Sequence, residues 1–230
     1  MVRKIIFFIV LAVICATSVP AIRAARADAA TGSVSGDVKL TSKGAAKTDA
    51  SGVVVYLVGF DEAPAEHAPQ LSQINKGFAP GVLAITAGQS VDFPNRDAFF
   101  HNVFSLSPAR PFDLGQYKNG ESKVKAFPKA GVVEVYCNIH PDMAATILVL
   151  PNRRFAVTDK NGHFTIAGVP PGSWTLFAYD RLAQSPTRAA VAVVAGSNAT
   201  IALNLDQTRT DFQHTNKYGQ PYRPSDGGYR

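Results

Sequence analysis

The sequence predicts an all-β protein, and three observations carry that prediction. Short apolar or alternating runs rich in Val, Ile, Phe and Thr recur along most of the chain. Gly, Pro, Asn and Asp punctuate them about every ten residues, and no segment shows a helical period of any length. With 230 residues and 46% hydrophobic content, the chain has material for one medium domain or two small ones, each with a real core.

Met1-Val2-Arg3-Lys4, the apolar run Ile5 to Ala16 and Ala25-Arg26-Ala27 make the basic start, apolar centre and small-residue cleavage site of a secretory signal over residues 1–27. The apolar run is too short to span a bilayer comfortably, so the expectation is export to the periplasm with no stable membrane span after cleavage. Cleavage removes four of the 23 Lys and Arg residues and no acid, leaving 23 − 4 = 19 positive against 17 negative charges, or +2. A nucleic-acid partner would need a concentrated basic face, which this balance does not supply.

The mature chain begins with a small polar tether, Asp28 to Ser33. Val34 to Leu40 alternates, and Gly52 to Val58 is an apolar strand. Asp61 to Gln70, acidic with two prolines and His67, reads as an exposed loop. Strands follow at Val82 to Thr86, Ser90 to Phe93 and Asn102 to Ser105. After the turn Lys118-Asn119-Gly120-Glu121 come Ser122 to Phe127, Val132 to Tyr136 and Ala145 to Leu150. Beyond Pro151 the expected strands are Phe155 to Thr158, His163 to Ile166, Ser173 to Tyr179, Ala189 to Val194 and Thr200 to Leu205, with turns at Asp159 to Gly162 and Val169 to Gly172. Residues 207–230 lack an apolar period and read as a tail that is disordered or loosely docked.

The stretch that carries chemistry is Val132 to Met143. Cys15 leaves with the signal, so Cys137 is the only cysteine of the mature chain and cannot form an internal disulfide in an oxidising compartment. An inert buried thiol is one explanation and a metal bond is the other. Cys137, His140 and Met143 in one short segment, with His101 upstream, supply thiolate, imidazole and thioether, the donor set of a mononuclear blue-copper site. Taken singly, His101 reads as a half-buried histidine, His140 as a loop residue and Met143 as core filler; their coincidence favours copper. His67, His163 and His214 read as solvated. A nucleophilic site built on Cys137 with His101 or His140 fits less well, since Met143 has no part in it and no oxyanion-hole loop is recognisable.

Residues 71–150 resemble a cupredoxin of the plastocyanin and amicyanin kind. The likeness rests on Phe78-Ala79-Pro80, Ala87-Gly88-Gln89-Ser90-Val91, Pro94-Asn95-Arg96-Asp97, His101-Asn102-Val103, Phe112-Asp113 and Tyr136-Cys137-Asn138-Ile139-His140-Pro141-Asp142-Met143, whose C-x2-H-x2-M spacing is the short ligand loop of amicyanin. The resemblance implies a Greek-key β-sandwich with copper held by His101, Cys137, His140 and an axial Met143. It places Asn102 as an amide bracing the ligand loops near the sulfur. Asp142 departs from the apolar residue often found there in amicyanins. The flanks, 32–60 and 151–206, resemble the transthyretin-like regulatory domain that follows many carboxypeptidases, through Gly32-Ser33-Val34-Ser35-Gly36-Asp37-Val38, Gly52 to Val55, Thr158 to Phe164 and Val169 to Gly172. Two arrangements are open: this domain split around the cupredoxin, which the order of its pieces favours, or two consecutive domains.

These resemblances imply a periplasmic one-electron carrier, not an enzyme. Its partners would be a protein donor and acceptor, such as an amine dehydrogenase of methylamine utilisation and a cytochrome, docking on a rim formed by Phe99, Phe100 and Pro141. The alternative is a copper-binding or delivery module attached to the cell envelope through the regulatory-like domain. A structural protein with vestigial ligands is the third reading.

Overall fold

The computed structural model describes residues 30–209 and 214–222. The signal expected over residues 1–27 lies outside them. The described chain is all-β, with no helix among its residues, and its strands form two packed units.

The outer unit is built from both ends of the chain. Strands β1 (Gly32–Ser42), β2 (Ala45–Ala46) and β3 (Val54–Val58) precede the inner unit. Strands β13 (Phe155–Val157), β14 (His163–Val169), β15 (Gly172–Tyr179), β16 (Thr187–Val193) and β17 (Asn198–Gln207) follow it. One sheet runs β14-β1-β17, with β2 on β1; the other runs β13-β3-β15-β16. β1 is central, antiparallel to β14 and parallel to β17 from Ser33↔Asn198 to Ser42↔Gln207. Its alternation buries Val34, Val38 and Leu40, which join Leu57, Phe164, Ile166, Leu176 and Leu203 between the sheets. Gly36 is there because nothing larger fits: a Cβ would lie 1.7 Å from the Ile201 carbonyl oxygen. β17 extends beyond the apolar run Thr200 to Leu205 because the whole length of β1 is available to pair with it.

The inner unit comprises β4 (Ser72–Ile74), β5 (Gly77–Ala79), β6 (Val82–Thr86), β7 (Ser90–Pro94), β8 (His101–Ser105), β9 (Phe112–Tyr117), β10 (Ser122–Ala126), β11 (Gly131–Tyr136) and β12 (Ala144–Leu150). Five strands, in the order β6-β12-β11-β8-β9, form one sheet, and β7 pairs with β10. Phe93, Val103, Phe112, Phe127, Val133, Val135 and Ile147 fill the space between them. β8 is buried at every position because β9 and β11 cover both its edges and the core packs on it. Three strands of this unit have no counterpart in the strand pattern read from sequence. β9 carries a glycine at φ 68, Gly115, and pairs with β8 through a register shift, so its apolar period is broken. β4 and β5 are only three residues each, and form a hairpin whose tip, Asn75-Lys76, has left-handed backbone at φ 55 and 54.

The units share a small apolar seam of Val54, Leu148 and Leu150 with Tyr56, Val82, Ala84, Phe155 and Tyr179 around it. Burial on this seam pushes the Tyr179 hydroxyl up to about 12. Polar ties flank the seam. Asn152, fully buried, donates to the carbonyls of Leu57 and Phe60 at 3.0 and 2.9 Å, and Arg154 pairs with Glu62 at 2.8 Å. Arg181 donates to the Ala144 carbonyl and to Thr146 Oγ1, both at 2.9 Å, and so binds the outer unit to the strand that leaves the ligand loop.

Candidate metal centre

Three donor atoms meet at one end of the inner unit. His101 opens β8, Cys137 directly follows β11, and His140 lies on the loop that leads into β12. Cys137 Sγ is 3.8 Å from His101 Nδ1 and 3.6 Å from His140 Nδ1, and the two nitrogens are 3.1 Å apart. Among the described residues this is the only cluster of three or more His, Cys, Asp or Glu side chains whose ligand atoms all lie within 4.8 Å of one another.

The loop holds its own shape. Cys137 N–H donates to the Met143 carbonyl at 3.2 Å, Met143 N–H donates to the His140 carbonyl at 3.1 Å, and Ile139 N–H points at Cys137 Sγ at 3.4 Å. An amide aimed at the sulfur complements negative charge there. Met143 is fully buried in the same apolar cluster as Cys137 and Val103. His101 and Cys137 are fully buried and His140 is half-buried, so the site has one edge towards solvent.

Asp97 fixes the orientation of His101. Its carboxylate accepts the backbone N–H groups of Asn75 and Lys76 at 2.7 and 2.9 Å, and faces His101 Nε2 at 2.8 Å. Burial works to raise this carboxyl, but the Lys76 amide, the His101 ring and the Asn75 amide together hold it below its ordinary range. An ionised carboxylate only accepts, so Nε2 presents its N–H to Asp97, and the tautomer this contact selects leaves the Nδ1 lone pair facing Cys137 and His140. Burial, with His101 and Lys76 nearby, lowers the His140 pKa and favours its neutral, ligating form.

These residues fit a metal ion. Imidazole and thiolate donors each about 2.0–2.3 Å from one shared ion stand roughly 3–4 Å from one another, which is the size of the observed triangle. Two imidazoles and a thiolate with a buried methionine in the same loop are the donor chemistry of mononuclear copper rather than of a zinc or calcium site. Asp97 is the outer partner such a ligand histidine requires. In Asp97→Asn, an amide N–H facing His101 Nε2 would favour the tautomer whose proton points into the triangle. The expected result is a fall in copper affinity of about 10–100-fold, measured by competition with a chromophoric chelator.

All four residues expected as ligands thus lie on or beside this loop, with His101, Cys137 and His140 brought together at their donor atoms. Asn102, expected as an amide bracing the ligand loops near the sulfur, reaches across to β9. Its Nδ2 donates to Asp113 Oδ1 at 2.6 Å, and its buried Oδ1 has no partner among the described residues. His163 pairs with Asp37 in the outer unit, and His67 is exposed on its loop, both far in sequence from the triangle.

The tail departs most from expectation. Residues 214–222, read from sequence as part of a disordered or loosely docked segment, lie against the ligand loop, where His214, Lys217 and Tyr222 each find a hydrogen-bond partner. The His214 ring, expected to be solvated, stacks on Tyr136 with centroids 3.9 Å apart and donates from Nε2 to the Pro141 carbonyl at 2.6 Å. Tyr222 Oη donates to the Cys137 carbonyl at 2.7 Å. Asp97 had a legible signal, a carboxylate four residues before a ligand histidine. The tail contacts had none, since no periodicity marks a segment held by isolated side chains.

No protein-family model matches the chain, and no curated protein matches it. Among solved structures it is similar to the copper-containing nitrite reductase from Thermus scotoductus SA-01, at 26% identity and TM-score 0.35 over 41% of this chain and 25% of that one. It is also similar to a mutant of amicyanin in its reduced form, at 21% identity and TM-score 0.35 over 41% of this chain and 97% of that one. A third is the purple cupredoxin from Nitrosopumilus maritimus, at 22% identity and TM-score 0.32 over 35% of this chain and 98% of that one. These three are cupredoxins or contain copper, while the chain spans only a quarter of the nitrite reductase.

Proposed function

We propose that this protein binds one copper ion at His101, Cys137 and His140, with Met143 as the weak axial ligand, and carries single electrons between protein partners of the periplasm. The observation that supports this best is the donor triangle: two imidazole nitrogens and a buried sulfur that converge on one point and are backed by Asp97. Bound there, copper would supply a one-electron Cu(II)/Cu(I) couple.

The chain's own residues provide the rest. β8, β11 and β12 belong to one sheet, so the ligands from separate segments are held by paired strands and need little rearrangement when charge changes. The apolar cluster around Cys137 and Met143 keeps water from the sulfur. His140 reaches towards the surface beside Phe99, whose ring lies 5.6 Å from it. Phe99 and Phe100 are 39% and 55% exposed, and Pro141, which follows His140 in the chain, is exposed as well, giving apolar surface on which a partner protein can dock close to a ligand. The partners proposed for this rim are an amine dehydrogenase as donor and a cytochrome as acceptor.

The test is electron exchange. The copper-loaded chain, reduced by ascorbate, is mixed rapidly with an oxidised c-type cytochrome. The expected result is one electron passed per chain, reducing one haem iron, with the copper retained and the rate lowered about tenfold or more by Phe100→Asp, which places a charge at the apolar rim. Loss of Cu(I) to an acceptor chelator without haem reduction would replace the carrier reading with copper delivery.

A further inference from the structure

The C-terminal segment makes a set of contacts that join the two separate parts of the metal centre. On one side are the ligand-loop contacts. Tyr222 Oη donates to the Cys137 carbonyl at 2.7 Å, Lys217 N–H donates to Asn138 Oδ1 at 2.9 Å, and His214 Nε2 donates to the Pro141 carbonyl at 2.6 Å. On the other side is the strand that carries His101. Lys217 Nζ pairs with Asp113 Oδ2 at 2.7 Å, and Asp113 Oδ1 accepts Asn102 Nδ2 at 2.6 Å, next to His101 in the chain. One residue, Lys217, therefore bonds through its backbone to the Cys137–His140 loop and through its side chain to the partner of Asn102.

The segment also orders itself. Asn216 Oδ1 accepts the N–H groups of Tyr218 and Gln220 at 2.9 and 3.1 Å, and the Asn216 N–H donates to the Gln220 carbonyl at 2.8 Å. His214 stands between two aromatic rings, stacked on Tyr136 and edge-on to Tyr222 with centroids 5.2 Å apart. Burial raises the Tyr222 pKa, so its hydroxyl stays a hydrogen-bond donor.

We propose that residues 214–222 are a strap that positions the metal ligands: Lys217 ties the Cys137–His140 loop to the His101 strand, and Tyr222 and His214 clamp the outer side of the loop. The strap acts on the ligands through backbone groups and through Asn102; none of its residues is itself a ligand. Its contacts with Cys137, Asn138 and Pro141 fall within the segment whose shape sets the donor triangle. A loop so fastened opens less often, so a bound ion leaves more slowly. The metal half of this inference rests on the copper reading above; the clamping half does not.

The experiment therefore begins without metal. Amide hydrogen exchange is compared at Ile139 and Met143 in the full chain, Tyr222→Phe, Lys217→Met and a chain ending at Arg209. The expected result is exchange about 3–10-fold faster in each single variant and faster again in the shortened chain. Amides of β1 and β17, which lie in the outer unit and report global unfolding rather than opening of the loop, should change far less. Transfer of Cu(II) to EDTA from the loaded proteins should accelerate in the same order. Equal exchange in all chains overturns the strap. Altered exchange with unchanged copper release, in chains that do bind copper, overturns its role in positioning ligands. Altered exchange in chains that bind no copper sinks the carrier reading and leaves the clamp standing. Should the shortened chain fail to fold, the two single variants decide, because Tyr222→Phe removes one hydroxyl and nothing else.

Discussion

Copper-loaded Cys137→Ser is expected to lose the intense visible absorption of a copper–thiolate bond and the narrow hyperfine splitting that accompanies it. Serine keeps the shape of the side chain but offers a hard, weakly acidic hydroxyl in place of a soft thiolate. The two imidazole nitrogens remain 3.1 Å apart and can still hold Cu(II), so the variant should show an ordinary cupric signal. Affinity should fall by more than the roughly 10–100-fold typical of losing a residue that merely supports a ligand. Stability of the metal-free chain should change much less, by about 1–2 kcal/mol, because a buried hydroxyl replaces a buried thiol and the Ile139 N–H still points at an acceptor. Absorption and paramagnetic resonance after adding one equivalent of Cu(II) read the first effect, and thermal unfolding reads the second. An unchanged spectrum would remove Cys137 from the ligand set.

Gly36→Ala should cause the largest loss of stability of any single-methyl change. Gly36 pairs with Phe164 on one side and with Ile201 on the other, in the middle of the central strand β1. A methyl group there would sit 1.7 Å from the Ile201 carbonyl oxygen, a backbone atom that cannot swing aside. Relief requires β1 and β17 to separate. Overpacking of this kind costs about 3 kcal/mol, which for a chain of this size lowers the midpoint of unfolding by roughly 6–12 °C. Gly44, where an added Cβ meets nothing within 4 Å but the backbone is left-handed at φ 80, is the useful control. Alanine there should cost only the local strain, about 1 kcal/mol. Equal midpoints for the two variants would show that β1 and β17 do not pack as described.

The all-β character was legible because strand signals are local: Val34, Val38 and Leu40 alternate, and Gly52 to Val58 is a continuous apolar run between turns. The ligand loop was legible for a different reason. Cysteine, histidine and methionine in one segment are chemically conspicuous whatever the fold, and a distant histidine completes them. What could not be read depended on contacts between remote segments. β9 hides because Gly115 interrupts it, and only the neighbouring β8 makes it a strand. Asp97 stands legibly four residues before His101, but that it faces the ring depends on the remote Asn75-Lys76 hairpin tip that closes over it. Asn102 reads, from its position after His101, as a brace for the ligand loops, but only the fold shows that its amide does so through the Asp113 carboxylate. Residues 214–222 have the composition of a free tail, and four side-chain-dependent contacts with the metal loop and Asp113 outweigh that composition.

Because β3 ends at Val58 and its neighbour β13 begins at Phe155, the entire metal-binding unit lies between two strands that must pair side by side. As an unstructured loop of about 95 residues, that interval would cost about 4 kcal/mol of closure entropy, weighing against the pairing of β3 with β13. Once folded, with Asn152 and the Glu62–Arg154 pair joining its two ends, the same interval is a rigid bracket that delivers both strands already aligned. The outer unit therefore cannot be thermodynamically independent of the inner one. Any free energy that an ion adds to the inner fold is shared by sheets that never touch it, and the metal acts as a distant keystone for the two ends of the chain.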